Sequence, residues 1–345
     1  MILLVITILL ALSIVILVHE WGHFLMARRI GVKVEKFSLG FGRELIGFAS
    51  GGTRFVISIF PLGGGFVKMK GENPDDEKGE PDEFLFQPWH KRIWVVFFGP
   101  LFNYLFAFFL ASSIFFLEGI PRMNEGPVIG ELLEKKPAVR AGLLQGDRIL
   151  AIDGEEIKNW EELASTIHGL PGRRIKLEVE REGKRFFLGI EPELDSGTDK
   201  GLIGILPEIT YRKYLIPESL FAGGRFMFQY TYLTFYGIYR IFRGEEKAEV
   251  SGPVGIVSLL GKAAKKGAFD FLMLLAIISL NLGLVNLFPI PILDGGHIFF
   301  FLLEGLRGKK LSPKKMEFAQ IVGLSIIVFL FLYSTQQDIL RIFSR

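Results

Sequence analysis

The sequence predicts a membrane protein that is mainly α-helical, with four transmembrane helices, a membrane-associated β segment and an inserted soluble α+β domain. Half of the 345 residues are hydrophobic and 34 are Phe, which is more apolar than an ordinary soluble domain. Four stretches are long and apolar enough to cross a bilayer. Between the second and the third, the chain is instead rich in charges and short alternating strands.

Composition excludes several classes of function. The formal net charge is only +3, and a nucleic-acid surface needs a basic excess concentrated on one face, so no nucleic-acid partner is expected. The chain contains no Cys, which excludes thiol catalysis, disulfides, cysteine zinc sites and iron–sulfur clusters. Membrane lipids are the surroundings that the composition indicates.

The first predicted span occupies 1–28. A helix from Ile2 to Phe24 is about 33 Å long, which is enough for the hydrocarbon core of a bilayer. A secretory signal peptide is not expected, because no Lys or Arg precedes the apolar run. The run also leads into His19 and Glu20 rather than into a cleavage site of small residues.

Apolar runs, prolines and charges divide the rest of the chain into seven segments. These are a cytoplasmic-side or re-entrant β segment with an acidic loop (29–90), the second span (91–118), an extracytoplasmic domain (119–210), an amphipathic interfacial segment (211–268), the third span (269–306), a basic cytoplasmic loop (307–317) and the fourth span with the C-terminus (318–345). The apolar core of the third span is 271–288, and that of the fourth is 318–332 with a continuation to about Ile339.

Lys and Arg near the span ends predict the orientation. Basic residues follow the first span, precede the second and crowd 307–315, so both loops are predicted to be cytoplasmic. Both chain ends and residues 119–270 are then predicted to lie on the extracytoplasmic side of the membrane. Segment 215–243 is dense in Phe, Tyr and Leu but contains charges. As a fifth span it would put 307–315 on the wrong side, so an amphipathic helix in the interface is preferred.

Short strands are predicted on both sides of the second span. Residues 33–70 alternate and contain many Gly, which indicates strands that pack against the membrane domain or dip into it. The acidic stretch 71–83 is expected to be a solvated loop. Residues 126–208 predict a soluble domain of roughly 80 residues, with a hairpin around Glu182-Gly183 and a helix from Asn159 to about His168.

The sequence His19-Glu20-Trp21-Gly22-His23 is an H-E-x-x-H motif. Four residues of a helix turn about 400°, so the two imidazoles share one face and can supply two nitrogen ligands to one zinc ion. Glu20 is offset by about 100°, close enough to handle the proton of an attacking water without binding the metal. Coincidence is the alternative, but ionisable groups within a transmembrane helix usually mark function.

A zinc site with one open position needs a third protein ligand. His90 and His168 are candidates by residue type only. Asp294 is preferred, within the sequence Asn286-Leu-Phe-Pro-Ile-Pro-Ile-Leu-Asp-Gly-Gly-His297, because its prolines stop the third helix and its carboxylate needs a partner. Depth agrees, since His19 is about 25 Å along the first helix and the third span runs inward. His297 is either an outer partner of this site or a residue that starts the next helix.

These motifs resemble the bacterial site-2 protease family, and most of all its regulator-of-sigma-E protease type. The resemblance covers nearly the whole chain. It extends to Phe98-Gly-Pro-Leu-Phe-Asn103, to Ser251-Gly-Pro-Val-Gly255, to residues 59–69, which resemble the family's re-entrant β segment, and to residues 136–154, which resemble the core of its PDZ domains. Well-known members of this type carry two PDZ domains, whereas this chain has room for one.

The resemblance implies an intramembrane zinc metalloprotease. Glu20 would be the general base, with His19, His23 and Asp294 as the Zn²⁺ ligands. Two further groups are expected to contact substrate: Asn286, Pro289 and Pro291 beside the unwound backbone, and Gly201 and Gly204 in a loop that could receive a peptide carboxyl terminus. That loop could equally be a plain strand with glycines.

The implied substrate is a single-span membrane protein of the anti-sigma factor type, already cut outside by a site-1-type protease. Remnant signal peptides are a further implied substrate. The implied location is the bacterial cytoplasmic (inner) membrane, with the active site toward its cytoplasmic half. The alternatives are a non-enzymatic PDZ-bearing scaffold or sorting receptor, and a zinc transporter. The intact motifs argue against the first, and the scarcity of intramembrane His and carboxylates argues against the second.

Overall fold

The computed structural model describes residues 2–73, 78–195, 197–213, 215–245 and 252–343. The chain forms two compact units. The first unit comprises Met1–Leu117 and Leu215–Arg345, and the second, which we call the inserted domain, comprises Glu118–Tyr214.

Helices and strands alternate along the chain as follows. The helices are α1 (Ile2–Arg29), α2 (Trp89–Leu117), α3 (Pro137–Arg140), α4 (Trp160–His168), α5 (Ile216–Phe242), α6 (Pro253–Lys266), α7 (Ala268–Asn286), α8 (Asp294–Arg307) and α9 (Pro313–Phe343). The strands are β1 (Val34–Ser50), β2 (Thr53–Met69), β3 (Ile120–Met123), β4 (Ile129–Leu132), β5 (Arg148–Ile152), β6 (Glu155–Glu156), β7 (Ile175–Arg181), β8 (Lys184–Ile190), β9 (Glu193–Leu194), β10 (Gly201–Leu202), β11 (Ile205–Pro207) and β12 (Ile209–Arg212).

Within the described residues, four helices are long and apolar enough to cross a membrane, and they are α1, α2, α7 and α9. The predicted fold class is therefore confirmed. The expected third span, 269–306, consists of two helices. Helix α7 ends at Asn286 and α8 begins at Asp294, because Pro289 and Pro291 lack the N–H groups that a continuous helix needs.

Helix α2 packs against α1, α7 and α8 and forms the centre of the first unit. The contact with α1 is very close, because a Cβ atom added at Gly22 would overlap the carbonyl oxygen of Phe98. Gly283 of α7 lies in the same way against Pro100 and Tyr104. Small residues allow such approaches between membrane helices, where lipid provides no hydrophobic drive for association.

Strands β1 and β2 form the β segment that the sequence predicts. They pair antiparallel and fold back, so that residues 36–39 have partners on both sides, 54–57 and 65–68. Residues 65–69 form an outer strand, which lies against α1 because Gly65 is next to the side chains of Ile16 and Glu20.

The expectation of a solvated acidic loop at 71–83 is wrong for Glu83. This side chain is fully buried, and its carboxylate accepts hydrogen bonds from the backbone N–H groups of residues 78–80. These donors compensate the buried charge. The three consecutive acidic residues at 75–77 lie outside the described residues.

Helix α5 lies where an amphipathic interfacial helix is expected. It packs against α2 and α7, with Gly223 beside Ser112, Gly224 near Phe108, and the Phe235 ring 6.3 Å from that of Phe288. Several turns of α5 therefore contact the helix bundle. Its depth in the lipid stays a prediction.

The inserted domain has the α+β organisation that the sequence predicts. Its main sheet has the strand order β6-β5-β7-β8, and buried Ile, Leu and Val side chains form one core between this sheet and α4. Asn159 caps α4 by accepting a hydrogen bond from the Glu162 N–H at 2.9 Å. Glu182 and Gly183 have φ values of 51° and 75° and form the predicted hairpin turn.

The two glycines of the proposed peptide-binding loop have packing roles of their own. A Cβ atom at Gly201 would press on the backbone of Ile167 and Pro171, and one at Gly204 would overlap Lys136. Gly204 also has a φ of 82°, which side-chain-bearing residues rarely adopt. Binding of a peptide carboxyl terminus by this loop stays a prediction.

We expect Gly22→Ala to lower the free energy of unfolding by roughly 1–3 kcal/mol, because the new methyl group must push α1 away from α2. Thermal unfolding of the purified protein in detergent would measure this. Gly261→Ala is the control, because there the nearest atom to the added Cβ, Ile8 Cδ1, is 4.0 Å away. Equal melting temperatures for both variants would contradict the close α1–α2 contact.

Candidate metal centre

Three side chains from two distant parts of the sequence meet in the first unit. His19 and His23 lie one turn apart on α1 and are 7% and 9% exposed. Asp294 is the first residue of α8. Each offers a ligand atom, and these atoms all lie within 4.8 Å of one another.

Neighbouring groups orient both imidazoles. The Nδ1 atom of His23 is 2.9 Å from the carbonyl oxygen of Val95, which can only accept, so Nδ1 donates and Nε2 keeps its lone pair. The Nδ1 atom of His19 is 3.3 Å from Nδ2 of the Asn103 side-chain amide. Both rings consequently present Nε2 to Asp294, and an outer partner of this kind is typical of metal-binding His.

The separations between these atoms fit tetrahedral zinc. The two Nε2 atoms are 3.1 Å apart. Asp294 Oδ2 is 3.1 Å from His19 Nε2, and Asp294 Oδ1 is 3.5 Å from His23 Nε2. Ligand atoms bound to one zinc ion at its usual distances are about 3.3 Å apart.

Electrostatics also favour a cation at this position. Asp294 Oδ2 is buried and has no hydrogen-bond partner. The Nε2 atoms of two imidazoles and a carboxylate thus converge in a site that is mostly closed to water. Such an arrangement is unfavourable unless a positive charge lies among the acceptors.

Glu20 lies beside this group without belonging to it. Its carboxylate accepts a hydrogen bond from the backbone N–H of Val67, in the outer strand of the β segment. The side chain therefore occupies the space between α1 and residues 65–69. This is the offset that the H-E-x-x-H spacing predicts.

A strained loop places Asp294 beside His19 and His23. Ile292 has a φ of 92°, which is unfavourable for a β-branched residue. Gly295 and Gly296 then turn tightly against the backbone of residues 287–291, where a Cβ atom at either position would overlap carbonyl groups. The sequence contained the signal for the turn, in its prolines and glycines, but not for the strain.

Other sequence candidates lie elsewhere. His90 is exposed at the start of α2, and His168 ends α4 of the inserted domain, so neither joins the ligand group. His297 lies in the first turn of α8 and within reach of the charges of Asp294 and His23, so both of its predicted roles stay predictions. Asn286 ends α7, and Pro289 and Pro291 belong to the following turn, which leads to Asp294.

Asn103 is a site residue to which the sequence analysis assigned no role. It is completely buried, and its Oδ1 has no hydrogen-bond partner. If Nε2 of His19 binds a metal, Nδ1 carries the proton, and the Asn103 amide would then turn over so that Oδ1 rather than Nδ2 faces it. The motif Phe98-Gly-Pro-Leu-Phe-Asn103 contained this residue, but its role at the site follows only from the packing of α1 against α2, which brings it to His19.

Comparison with known proteins gives consistent results. The profile of peptidase family M50 matches residues 7–330. A protein named as a zinc metalloprotease from Campylobacter jejuni is 36% identical, covering 96% of this chain and 92% of its own. Another so named, from Agrobacterium fabrum, is 33% identical, covering 96% and 94%. The zinc metalloprotease RasP of Geobacillus kaustophilus is 29% identical, covering 94% and 95%.

Among solved structures, a PDZ domain of an SdrC-like protein from Listeria innocua is 28% identical. It covers 26% of this chain and 100% of its own, with a TM-score of 0.22.

We expect Asn103→Leu to weaken zinc binding by about 10- to 100-fold, because the protonated Nδ1 of His19 loses its acceptor. Competition with a chelator would measure the affinity. Ser112→Ala, on the same helix, is the control and should bind zinc as the wild type does. Wild-type affinity in Asn103→Leu would remove Asn103 from the site.

Proposed function

The chain belongs to peptidase family M50 and is a zinc metalloprotease of the site-2 protease type, and we propose that it cleaves single-span membrane proteins within the membrane. The observation that carries this proposal is the position of the ligand group. His19 and His23 lie on a helix that is apolar enough to span a bilayer, about 25 Å from its start. Hydrolysis at that depth requires a substrate that is itself in the membrane.

We assign the zinc ligands as His19, His23 and Asp294. Zinc, when bound, supplies a Lewis acid that lowers the pKa of a water molecule and polarises the scissile carbonyl. The protein contributes fixed ligands, since Val95 and Asn103 orient the two imidazoles. The surrounding helices exclude bulk water, which strengthens every charge interaction in the site.

We assign the proton transfers to Glu20. Its carboxylate takes a proton from the attacking water and later gives it to the leaving amine. The hydrogen bond from the Val67 N–H and the contact with Gly65 hold this carboxylate beside the ligand group. Glu20 does not need to bind the metal to do this.

The substrate must be unwound, because a helix keeps its carbonyl groups in internal hydrogen bonds. The outer strand 65–69 supports a place for the unwound segment, since its Val67 N–H points toward Glu20 and a strand edge can pair with an extended peptide. Asn286 could bind the same backbone, and Pro289 and Pro291 keep the following turn free of helix.

The proposed biological substrate is of the anti-sigma factor type, cut first on the outside by a site-1-type protease. This follows from the family resemblance. The proposed location is the bacterial cytoplasmic membrane, with the inserted domain outside. In that position the inserted domain would either exclude substrates that have large outer domains or bind the new carboxyl terminus.

Removal of any one ligand should empty the metal site. Purified wild-type protein should hold about one zinc ion, and His19→Ala, His23→Ala and Asp294→Ala should each lose most of it. Elemental analysis would measure the content. His90→Ala and His168→Ala are the controls and should stay loaded. Full occupancy in Asp294→Ala would exclude that residue as a ligand.

Glu20→Gln should separate binding from chemistry. The amide keeps the shape of the side chain but cannot take a proton, so zinc content should be normal while cleavage of a single-span substrate falls at least about 100-fold. Gel-based cleavage in proteoliposomes would measure it. Near-normal turnover would rule out Glu20 as the base.

The predicted orientation can be tested because the chain contains no Cys. Single cysteines at the exposed positions Glu182 and Lys310 should react with a membrane-impermeant reagent from opposite sides of the membrane. A cysteine at Lys265 should label from the same side as one at Glu182. If Glu182 and Lys310 label from one side, the four-span topology is wrong and α5 crosses the bilayer.

A further inference from the structure

Helix α2 is the common support of the two helices that carry the ligands. It holds α1 through the contacts of Val95 with His23 and of Asn103 with His19. It also packs against α8, whose first residue is Asp294. The distance between the imidazoles and the carboxylate therefore depends on how α1 and α8 each lie on α2.

A buried ion pair joins α2 to α8. Arg92, in the first turn of α2, is 2% exposed, and its Nη2 donates to Oε1 of Glu304 near the end of α8. The Arg92 Nε donates to the carbonyl oxygen of Gln87 at 2.9 Å. The guanidinium carbon lies 4.5 Å from the centre of the Phe301 ring. Three groups thus hold this one side chain in place.

The Arg92–Glu304 ion pair adds a directional contact between α2 and α8, which apolar packing does not provide. Apolar contacts such as that of Trp89 with Gly305 hold α8 close to α2 but are not directional. A hydrogen-bonded charge pair is directional. Glu304 and Asp294 lie ten positions apart in one helix, about 15 Å along its axis, so a shift of α8 at Glu304 also moves Asp294.

We propose that Arg92 and Glu304 are positioning residues of the metal site, which set the place of Asp294 relative to His19 and His23. This inference rests on the proposed ligand assignment. A displacement of even 1 Å matters at a site whose ligand atoms must all reach one ion.

The test replaces both partners together. Removing one would leave a buried charge, whereas replacing a buried pair by apolar residues is often neutral for stability. Arg92→Met/Glu304→Leu should therefore melt within a few degrees of the wild type. Its zinc dissociation constant, from chelator competition, should rise at least tenfold. The visible absorption of the cobalt(II)-loaded protein should also change, because it reports coordination geometry.

A second buried pair provides the matched control. In the inserted domain, Arg181 Nε donates to Oδ1 of Asp147, which is fully buried, at 2.7 Å. Asp147→Leu/Arg181→Met removes a comparable interaction and should leave zinc affinity and the cobalt spectrum unchanged. A loss of zinc affinity in this control equal to that in the test variant would show a general effect of instability and overturn the proposal.

The outcomes separate this inference from the proposed function. If the wild type binds no zinc, or Asp294→Ala keeps it, the ligand assignment itself fails. If those results are as expected but Arg92→Met/Glu304→Leu keeps wild-type affinity and spectrum, the positioning role is overturned. If that variant does not fold, Glu304→Gln decides instead. It should weaken zinc binding at least threefold, and unchanged affinity would overturn the proposal.

Discussion

The close packing of α1 against α2 is the contact on which the metal centre depends. Gly22 lets the helices approach until α1 lies against the carbonyl group of Phe98. At that separation, Val95 and Asn103 reach the outer nitrogens of His23 and His19. A wider gap would leave both imidazoles free to rotate, and a buried Asn and two buried His would lose their partners. The packing of α1 against α2 therefore also fixes the orientation of the two imidazole ligands.

The site concentrates polar groups where they are most costly. His19, His23, Asp294 and Asn103 lie among apolar helices, and the first three bring their ligand atoms to a common point. In such surroundings an unpaired polar group is strongly unfavourable, whereas a bound cation is held firmly. The same features would make this group of side chains a strong zinc site.

The β segment connects the chemistry to the substrate. The Val67 N–H of its outer strand donates to Glu20, so one hydrogen bond joins the proposed base on α1 to the proposed docking edge for substrate. The strained turn at Ile292 places Asp294 beside His19 and His23.

Local sequence determined much of this protein. Hydrophobic length predicts the four spans, Asn159 and Glu182-Gly183 mark a helix cap and a hairpin turn, and the helical period brings His19 and His23 to one face. These features depend on residues within a few positions of one another. The tertiary structure alone decided the fold-back of the β segment, the burial of Glu83, and the roles of Asn103, Arg92 and Glu304. Each of these depends on backbone conformation or on partners brought close by folding, up to 212 positions apart for Arg92 and Glu304. No periodicity records such contacts, because they form only when separate helices pack.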